Sequence, residues 1–286
     1  MRVVVTGARG LLGFAIVREF SRDAEVVALD RTRLDVCDEA ALAAVITAER
    51  PDVIINCAAY NNVDEAEDSP VQALEINALA VRALARAARA AGASLVHYSS
   101  DFVFDGETDR PYTEDDRPNP LSAYAASKLL GDWFALEAPR AYVLRVESLF
   151  GPPGPDGGRR GSLGTLVDRM REGAEVPVFV DRMVSPSYTP DLACATRALL
   201  ERAAPPGLYH CVNSGQGTWV EIAEHAASLL GTSLRMRPVT LDTVTLRARR
   251  PRYSALSNAK LAAAGVPMPD WRDALGRFVA PSTRPI

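Results

Sequence analysis

The chain has 286 residues, 48% of them hydrophobic and 24% charged, with a formal net charge of −4. That length and balance suit one large or two small packed domains that need no disulfide or metal staple. The mild acidity argues against a generic nucleic-acid binder, which carries a basic face.

The opening MRVVVTGARG lacks the charged and apolar regions of a secretory signal, so a cytoplasmic protein is expected. Short apolar runs at 2–6, 25–29, 52–56, 94–99 and 142–146 are rich in β-branched residues, which suits strands buried on both faces. Helical periodicity fills 11–21, 38–49, 70–91 and 123–136 between them. The most apolar long stretch, 78–93, carries three arginines and reads as an amphipathic helix, so no membrane span is expected. Alternation of this kind predicts βαβ units, hence an α/β doubly wound parallel sheet of the Rossmann type.

Segment 151–164 packs three prolines and six glycines into fourteen residues and reads as a loop or hinge. A helix at 163–172, a run at 176–180, a helix at 190–203, a run at 208–212 and a helix at 218–230 follow, then a weakly periodic tail. The expected division is a dinucleotide-binding domain over 1–148, with roughly 188–214 returning to it. Residues 149–187 and 215–286 form a smaller C-terminal substrate lobe. Cys37, Cys57, Cys194 and Cys211 stand singly and read as buried reduced thiols. His97, His210 and His225 are scattered and read as packing or surface residues. No metal-ligand spacing is present.

The first strand runs into Gly7-Ala8-Arg9-Gly10-Leu11-Leu12-Gly13 and then a helix. Gly7 permits the tight turn, Gly10 lets the backbone approach a pyrophosphate, and Gly13 lets the helix pack on the strand. The amides and dipole at the helix start then face the phosphates. Asp30 ends the second strand where an acid binds the adenosine ribose and favours NAD. Arg31 and Arg33 follow and suit the 2′-phosphate of NADP. Both cofactors are therefore expected to be usable. Asp35 and Val36 would flank the adenine.

Tyr124 and Lys128 stand four apart in a helical stretch, so both side chains share one face. An ammonium beside a phenol favours the phenolate and makes the tyrosine a better proton-transfer group. The strand ending Ser99-Ser100-Asp101 offers a hydroxyl that can polarise a carbonyl.

These features together resemble the extended short-chain dehydrogenase/reductases, and more narrowly the dTDP-4-dehydrorhamnose reductase family. Ser99-Ser100-Asp101-Phe102-Val103-Phe104-Asp105-Gly106 matches that family's STDYVFDG motif. Further matches are Asn56 to Tyr60, Val63-Asp64 with Ala66-Glu67, Ile76-Asn77-Ala78, 181–193 (DRMVSPSYTPDLA), Tyr209-His210 to Trp219, and Arg249-Arg250-Pro251 to Lys260-Leu261. The likeness spans residues 1–275.

The resemblance implies a catalytic set of Ser100, Tyr124 and Lys128. Hydride would pass from NADP or NAD to C4 of a nucleotide-linked 4-keto-6-deoxy sugar, converting dTDP-4-dehydro-L-rhamnose to dTDP-L-rhamnose. It implies that Cys57, Ala58, Ala59, Tyr60 and Ser99 line the cofactor, with Asn77 in the helix behind. It places Phe102, Phe104, Glu147, Ser148 and Arg249 near the substrate, and it implies a homodimer.

Two departures stand out. Phe102 replaces the motif's tyrosine. Arg145 to Gly151 (RVESLFG) stands where the family reads RTSWVYG, so Ser148 replaces the tryptophan that would contact the sugar. Losing an aromatic platform should alter which sugar fits. The arginine run 247–252 either meets a diphosphate or forms a solvated turn. Trp219 reads as packing. The competing readings are a nucleotide-sugar epimerase or dehydratase, and an NADP-binding regulatory subunit like that of methionine adenosyltransferase.

Overall fold

A computed structural model describes residues 1–154 and 161–280. Residues 155–160, the middle of the glycine- and proline-rich segment, lie outside the described residues, so the loop expected there is not described. On its far side helix already begins at Gly161.

The front half alternates strand and helix in chain order: β1 (Arg2–Thr6), α1 (Leu11–Phe20), β2 (Glu25–Leu29), α2 (Glu39–Glu49), β3 (Val53–Asn56), α3 (Glu65–Asp68), α4 (Pro70–Leu74) and α5 (Ala80–Ala91). It continues through β4 (Ser94–Ser100), α6 (Ala123–Ala135) and β5 (Ala141–Val146). Then follow β6 (Leu149–Phe150), α7 (Gly161–Arg171), β7 (Val176–Phe179), β8 (Met183–Val184), β9 (Ser187–Tyr188) and α8 (Thr189–Glu201). The last elements are β10 (Gly207–His210), β11 (Gly217–Thr218), α9 (Trp219–Leu230), β12 (Met236–Val239), α10 (Ala259–Ala263) and α11 (Trp271–Val279).

The main sheet is parallel throughout, in the order β10-β5-β4-β3-β1-β2. The chain steps from β1 outward to β2, then crosses back to β3 on the other side of β1. That reversal opens a crevice at the carboxyl ends of β1 and β3, where ligands bind in open α/β sheets. Strand β10 extends the sheet beyond β5, and α8 packs on α1.

Each sheet face carries its own apolar layer. Val3, Val5, Ile16, Phe20, Leu144 and Leu192 fill one side, and Leu42, Ile46, Ile54, Leu84 and Val143 fill the other. A separate cluster around Phe150, Val167, Val178, Ile222 and Trp271 packs α7, α9 and α11 together with β7.

The helix expected over 70–91 is not uniform. Between α4 and α5 one π-turn, Glu75–Leu79, inserts a wider loop of backbone. That local widening re-aims Asn77, whose side chain accepts the Tyr60 amide at 2.9 Å and donates to the Tyr60 carbonyl at 3.1 Å. Two cysteines also depart from expectation: Cys37 and Cys194 are exposed, and only Cys211 is fully buried. Cys37 follows the second strand in a turn, and Cys194 sits on α8 beside Glu19 at the exposed edge of the α1–α8 contact. Among the described residues no helix is long and apolar enough to cross a membrane, and no cluster of three or more metal-ligating side chains is present.

Candidate active site

The crevice begins at the glycine turn. Gly7 has φ +65°, and a Cβ there would come within 2.6 Å of the Ala58 amide nitrogen. A Cβ on Gly13 would stand 2.2 Å from the Gly7 carbonyl oxygen. Only glycine lets β1, α1 and the segment after β3 approach so closely. Helix α1 starts on Gly10 with no side-chain cap and no acidic residue in its first turn. Its leading amides therefore keep their donors for an anion in the cleft, which fits a dinucleotide pyrophosphate.

Two cavities meet at this helix end. One, of about 640 Å³, is lined by Gly7, Arg9, Gly10, Asp30, Arg31, Asp35, Val36 and the 57–60 segment. The other, of about 390 Å³, is lined by Gly10 to Gly13, Cys57 to Ala59, Ser99, Ser100, Phe102, Tyr124, Lys128, Glu147 and Ser148. The fit between the cleft and an elongated two-part cofactor is thus one of shape as well as donors.

Asp30 is heavily engaged. Its Oδ1 accepts from the Thr32 amide (2.9 Å), the Thr32 hydroxyl (2.6 Å) and the Arg33 amide (3.2 Å), and its Oδ2 lies 3.4 Å from Arg9. Those donors hold its carboxyl below the usual range, with the Thr32 hydroxyl foremost. Arg33 turns back to donate to the Ala28 carbonyl at 2.8 Å, whereas Arg31 lines the cavity.

Tyr124 and Lys128 lie on the inner face of α6, which is capped by the Ser122 hydroxyl accepting from the Ala125 amide. Both are buried. Lys128 Nζ donates to the Tyr98 carbonyl at 2.6 Å. Burial lowers the Lys128 ammonium to about 8 and pushes the Tyr124 phenol up, while the Ser100 hydroxyl beside it pulls that phenol down. Ser100 Oγ donates to Asp101 Oδ1 at 2.9 Å and accepts from the Phe102 amide at 3.2 Å. The Phe102 ring stands edge-on to Tyr124, centroids 5.9 Å apart.

Behind α6 a buried ion pair joins Asp132 to Arg145 Nε at 3.1 Å. The lower wall is held by Asn56, which accepts from Thr6 Oγ1 (2.7 Å) and the Ala58 amide (3.1 Å) and contacts His97 Nδ1 at 3.1 Å. Burial keeps His97 well below its ordinary value, hence neutral.

Several expected site residues lie elsewhere. Phe104 is fully buried and stacks on Tyr112 at 4.0 Å, away from the cleft. Strand β4 ends in a short 3₁₀ turn (Asp101–Val103), which sends alternate aromatics to opposite sides. Arg249 is exposed, and its neighbour Arg250 lines the cleft instead, paired with Asp64 at 2.8 Å. Asn77 is buried behind the 57–60 segment and supports Tyr60 from the rear. Ser148 does line the cleft, with a left-handed backbone (φ +42°).

Sequence reasoning passed over Arg182 and did not assign Trp219 to the site. Both line the cleft, and their Nε and Nε1 atoms are buried without partners. They also border a third cavity of about 570 Å³ formed with α7 and β7. No spacing rule marks them, because Arg182 reaches the cleft from the turn between β7 and β8 and Trp219 from the first residue of α9.

Known proteins resemble this chain along nearly its whole length. The family described as RmlD substrate binding domain matches residues 1–284. A dTDP-4-dehydrorhamnose reductase of Streptomyces griseus is 38% identical, covering 96% of this chain and 91% of that protein. A probable dTDP-4,6-dihydroxy-2-methyloxan-3-one 4-ketoreductase of Streptomyces antibioticus is 37% identical over 96% and 93%. The crystal structure of a Bacillus anthracis dTDP-4-dehydrorhamnose reductase in complex with NADP superposes with a TM-score of 0.90 at 32% identity, covering 97% and 98%. By fold, by site and by these likenesses, the chain belongs to the dTDP-4-dehydrorhamnose reductase family.

Proposed function

We propose that this protein reduces the C4 carbonyl of a nucleotide-activated 4-keto-6-deoxy sugar with NADPH or NADH. The best candidate reaction is dTDP-4-dehydro-L-rhamnose to dTDP-L-rhamnose. One observation carries the reading: Ser100, Tyr124 and Lys128 share one wall of a cleft that opens onto the uncapped start of α1. When bound, the nicotinamide supplies the hydride. The Ser100 hydroxyl polarises the carbonyl oxygen, and Tyr124 gives its proton to the developing alkoxide. Lys128, anchored to Tyr98, keeps a positive charge close to that oxygen and favours the phenolate left behind.

Residues 1–148 with 188–214 would hold the cofactor, and 149–187 with 215–286 the sugar nucleotide. The cavity between α7 and β7 supports that division, since Phe179, Arg169, Arg182 and Trp219 offer a stacking surface and cationic donors. We also read the protein as a cytoplasmic homodimer. Exposed Val71, Trp133 and Leu136 on the neighbouring α4 and α6 support a self-association face, and light scattering tests it.

The catalytic reading is tested by following NADPH absorbance with dTDP-4-keto-6-deoxy sugar. Tyr124→Phe should abolish oxidation while NADP still binds. No oxidation by the wild type with any 4-keto sugar would overturn the reading in favour of a regulatory nucleotide-binding role.

A further inference from the structure

Glu147 directly follows Val146, the last residue of β5, which pairs in the sheet with Ser100. It borders the cleft but is only 2% exposed, so almost none of its surface can meet a ligand. Both carboxyl oxygens turn instead to the C-terminal half of the chain. Oε2 accepts the Ser185 amide at 2.6 Å, and Oε1 accepts the Ser254 hydroxyl at 2.6 Å. Ser185 and Ser254 are themselves fully buried. Two short bonds from one rigid carboxyl fix a direction as well as a distance.

The two segments held in this way run side by side. The Met183 amide donates to the Arg252 carbonyl at 2.9 Å, the Ser254 amide to the Met183 carbonyl at 3.0 Å, and the Leu256 amide to Ser185 Oγ at 3.2 Å. Each segment carries a cation of the cleft: Arg182 lies just before Ser185 in the chain, and Arg250 just before Ser254. Trp219 hangs from the same place, its amide donating to the Arg182 carbonyl at 3.4 Å. Arg182 and Trp219 line both the catalytic cavity and the α7–β7 cavity, and their Nε and Nε1 atoms are buried without partners. Donors at the waist between two cavities suit an acceptor-rich ligand that threads both. They serve the reaction only at a fixed distance from Ser100 and Tyr124, since a substrate misplaced by about 1 Å reacts far more slowly.

We propose that Glu147 is a positioning residue: through Ser185 and Ser254 it sets Arg182, Trp219 and Arg250 at working distance from the catalytic wall, and it does not itself read the sugar. The inference rests on the reductase reading. Because Val146 and Ser100 are paired neighbours, the tie is referred directly to the strand that presents Ser100. Without it, segments 183–185 and 252–256 still hold each other but lose their side-chain link to β5. Arg250 has a second anchor in Asp64, so Arg182 and Trp219 depend on the tie most. Loss of the tie therefore weakens the grip on the sugar nucleotide, while the glycine turn and the start of α1 still hold the cofactor.

The test compares wild type, Ser254→Ala, Glu147→Ala and the double variant. Steady-state kinetics use NADPH and a dTDP-4-keto-6-deoxy sugar, and calorimetry measures dTDP and NADP separately. Glu147→Ala should raise both KM and the dTDP dissociation constant about tenfold, and Ser254→Ala about threefold, with kcat lowered less than KM is raised. The double variant should be no worse than Glu147→Ala, because the hydroxyl acts only through the carboxyl. NADP affinity should change far less than dTDP affinity, whereas general damage to the fold would weaken both ligands together. Effects that multiply in the double variant would mean that Glu147 meets the substrate directly, and they overturn the proposal. Unchanged dTDP affinity in Ser254→Ala overturns it too, and that variant, which removes one hydroxyl, decides the matter even where Glu147→Ala does not fold. A wild type that binds dTDP but oxidises no NADPH overturns the reductase reading alone, since the dTDP affinities still test the tie. A wild type that binds no dTDP overturns the proposal.

Discussion

Lys128 Nζ donates to the carbonyl oxygen of Tyr98 at 2.6 Å, so the ammonium is fixed to β4 independently of the tyrosine it serves. Burial lowers it to about 8 and pushes Tyr124 up. Tyr124 therefore stays protonated, ready to donate, while Lys128 loses its charge just above neutrality. The rate of reduction should fall as pH rises through about 8, and Lys128→Met should cost about 10²–10⁴-fold and remove that limb. The same shift has a stability consequence of known sign. Between about 8 and 10.5 the unfolded chain holds a proton on this lysine that the folded chain has lost. Stability contributed by this residue thus rises with pH over that window. Thermal melting across pH, wild type against Lys128→Met, checks it: the difference should be largest below pH about 8, with the variant the more stable.

Asp132 and Arg145 form the pair that backs the catalytic helix, 2% and 3% exposed and 3.1 Å apart. Arg145 also lies over the Phe104 ring at 5.0 Å, which ties β5 to the turn after β4. Removing one member strands the other charge in the interior. Asp132→Ala should destabilise the fold by about 3–5 kcal/mol, measured by denaturant unfolding. Replacing both by apolar residues of like size should cost much less. A double variant as unstable as the single one would show that the pair is not what holds α6.

Much of this was legible in the chain. The five front strands follow from short β-branched apolar runs set between stretches of period 3.6, because a parallel sheet buried on both faces leaves runs that little else produces. Tyr124 and Lys128 were legible because four residues is a helical spacing. Arg182 and Trp219 were not, because they reach the site from two separate segments of the C-terminal half. Phe104 misled for a simple reason: motif adjacency does not say which way a side chain points once a strand gives way to a 3₁₀ turn. Asn77 lay in a helix on any reading, but only the π-turn sends it towards Tyr60.

The arginine run resolves into separate partners. Arg250 grips Asp64 through two bonds of 3.0 and 2.8 Å, and Asp64 also accepts the amides of Arg247 and Ala248 at 3.0 Å each. This clasp ties the C-terminal segment to the start of α3 across the mouth of the cleft. The ion pair is partly exposed, so its contribution to global stability is about 1 kcal/mol or less. Its effect on the cleft is larger, because it positions Arg250 there. Asp64→Ala should leave the melting temperature nearly unchanged while raising KM for the sugar nucleotide about tenfold. An unchanged KM would mean that Arg250 holds its place without the clasp.

Cofactor choice turns on how Asp30 is spent. Three donors from its own turn occupy Oδ1, and Arg9 sits against Oδ2. A carboxylate so engaged is a poor acceptor for the two ribose hydroxyls that distinguish NAD. Arg33 is turned back onto β2, which leaves Arg31 on the cavity wall as the residue able to meet a 2′-phosphate. NADP should therefore bind more tightly than NAD, and both should be used. Calorimetry can separate the contributions. Arg31→Ala should weaken NADP binding about tenfold and NAD binding by less than about threefold, since a lost arginine–phosphate contact is worth roughly 1.5–3 kcal/mol at most. The NADP affinity of the wild type should also fall more steeply with added salt than that of the variant. If Arg31→Ala weakened both cofactors alike, the residue would be shaping the turn after β2 and not reading the phosphate.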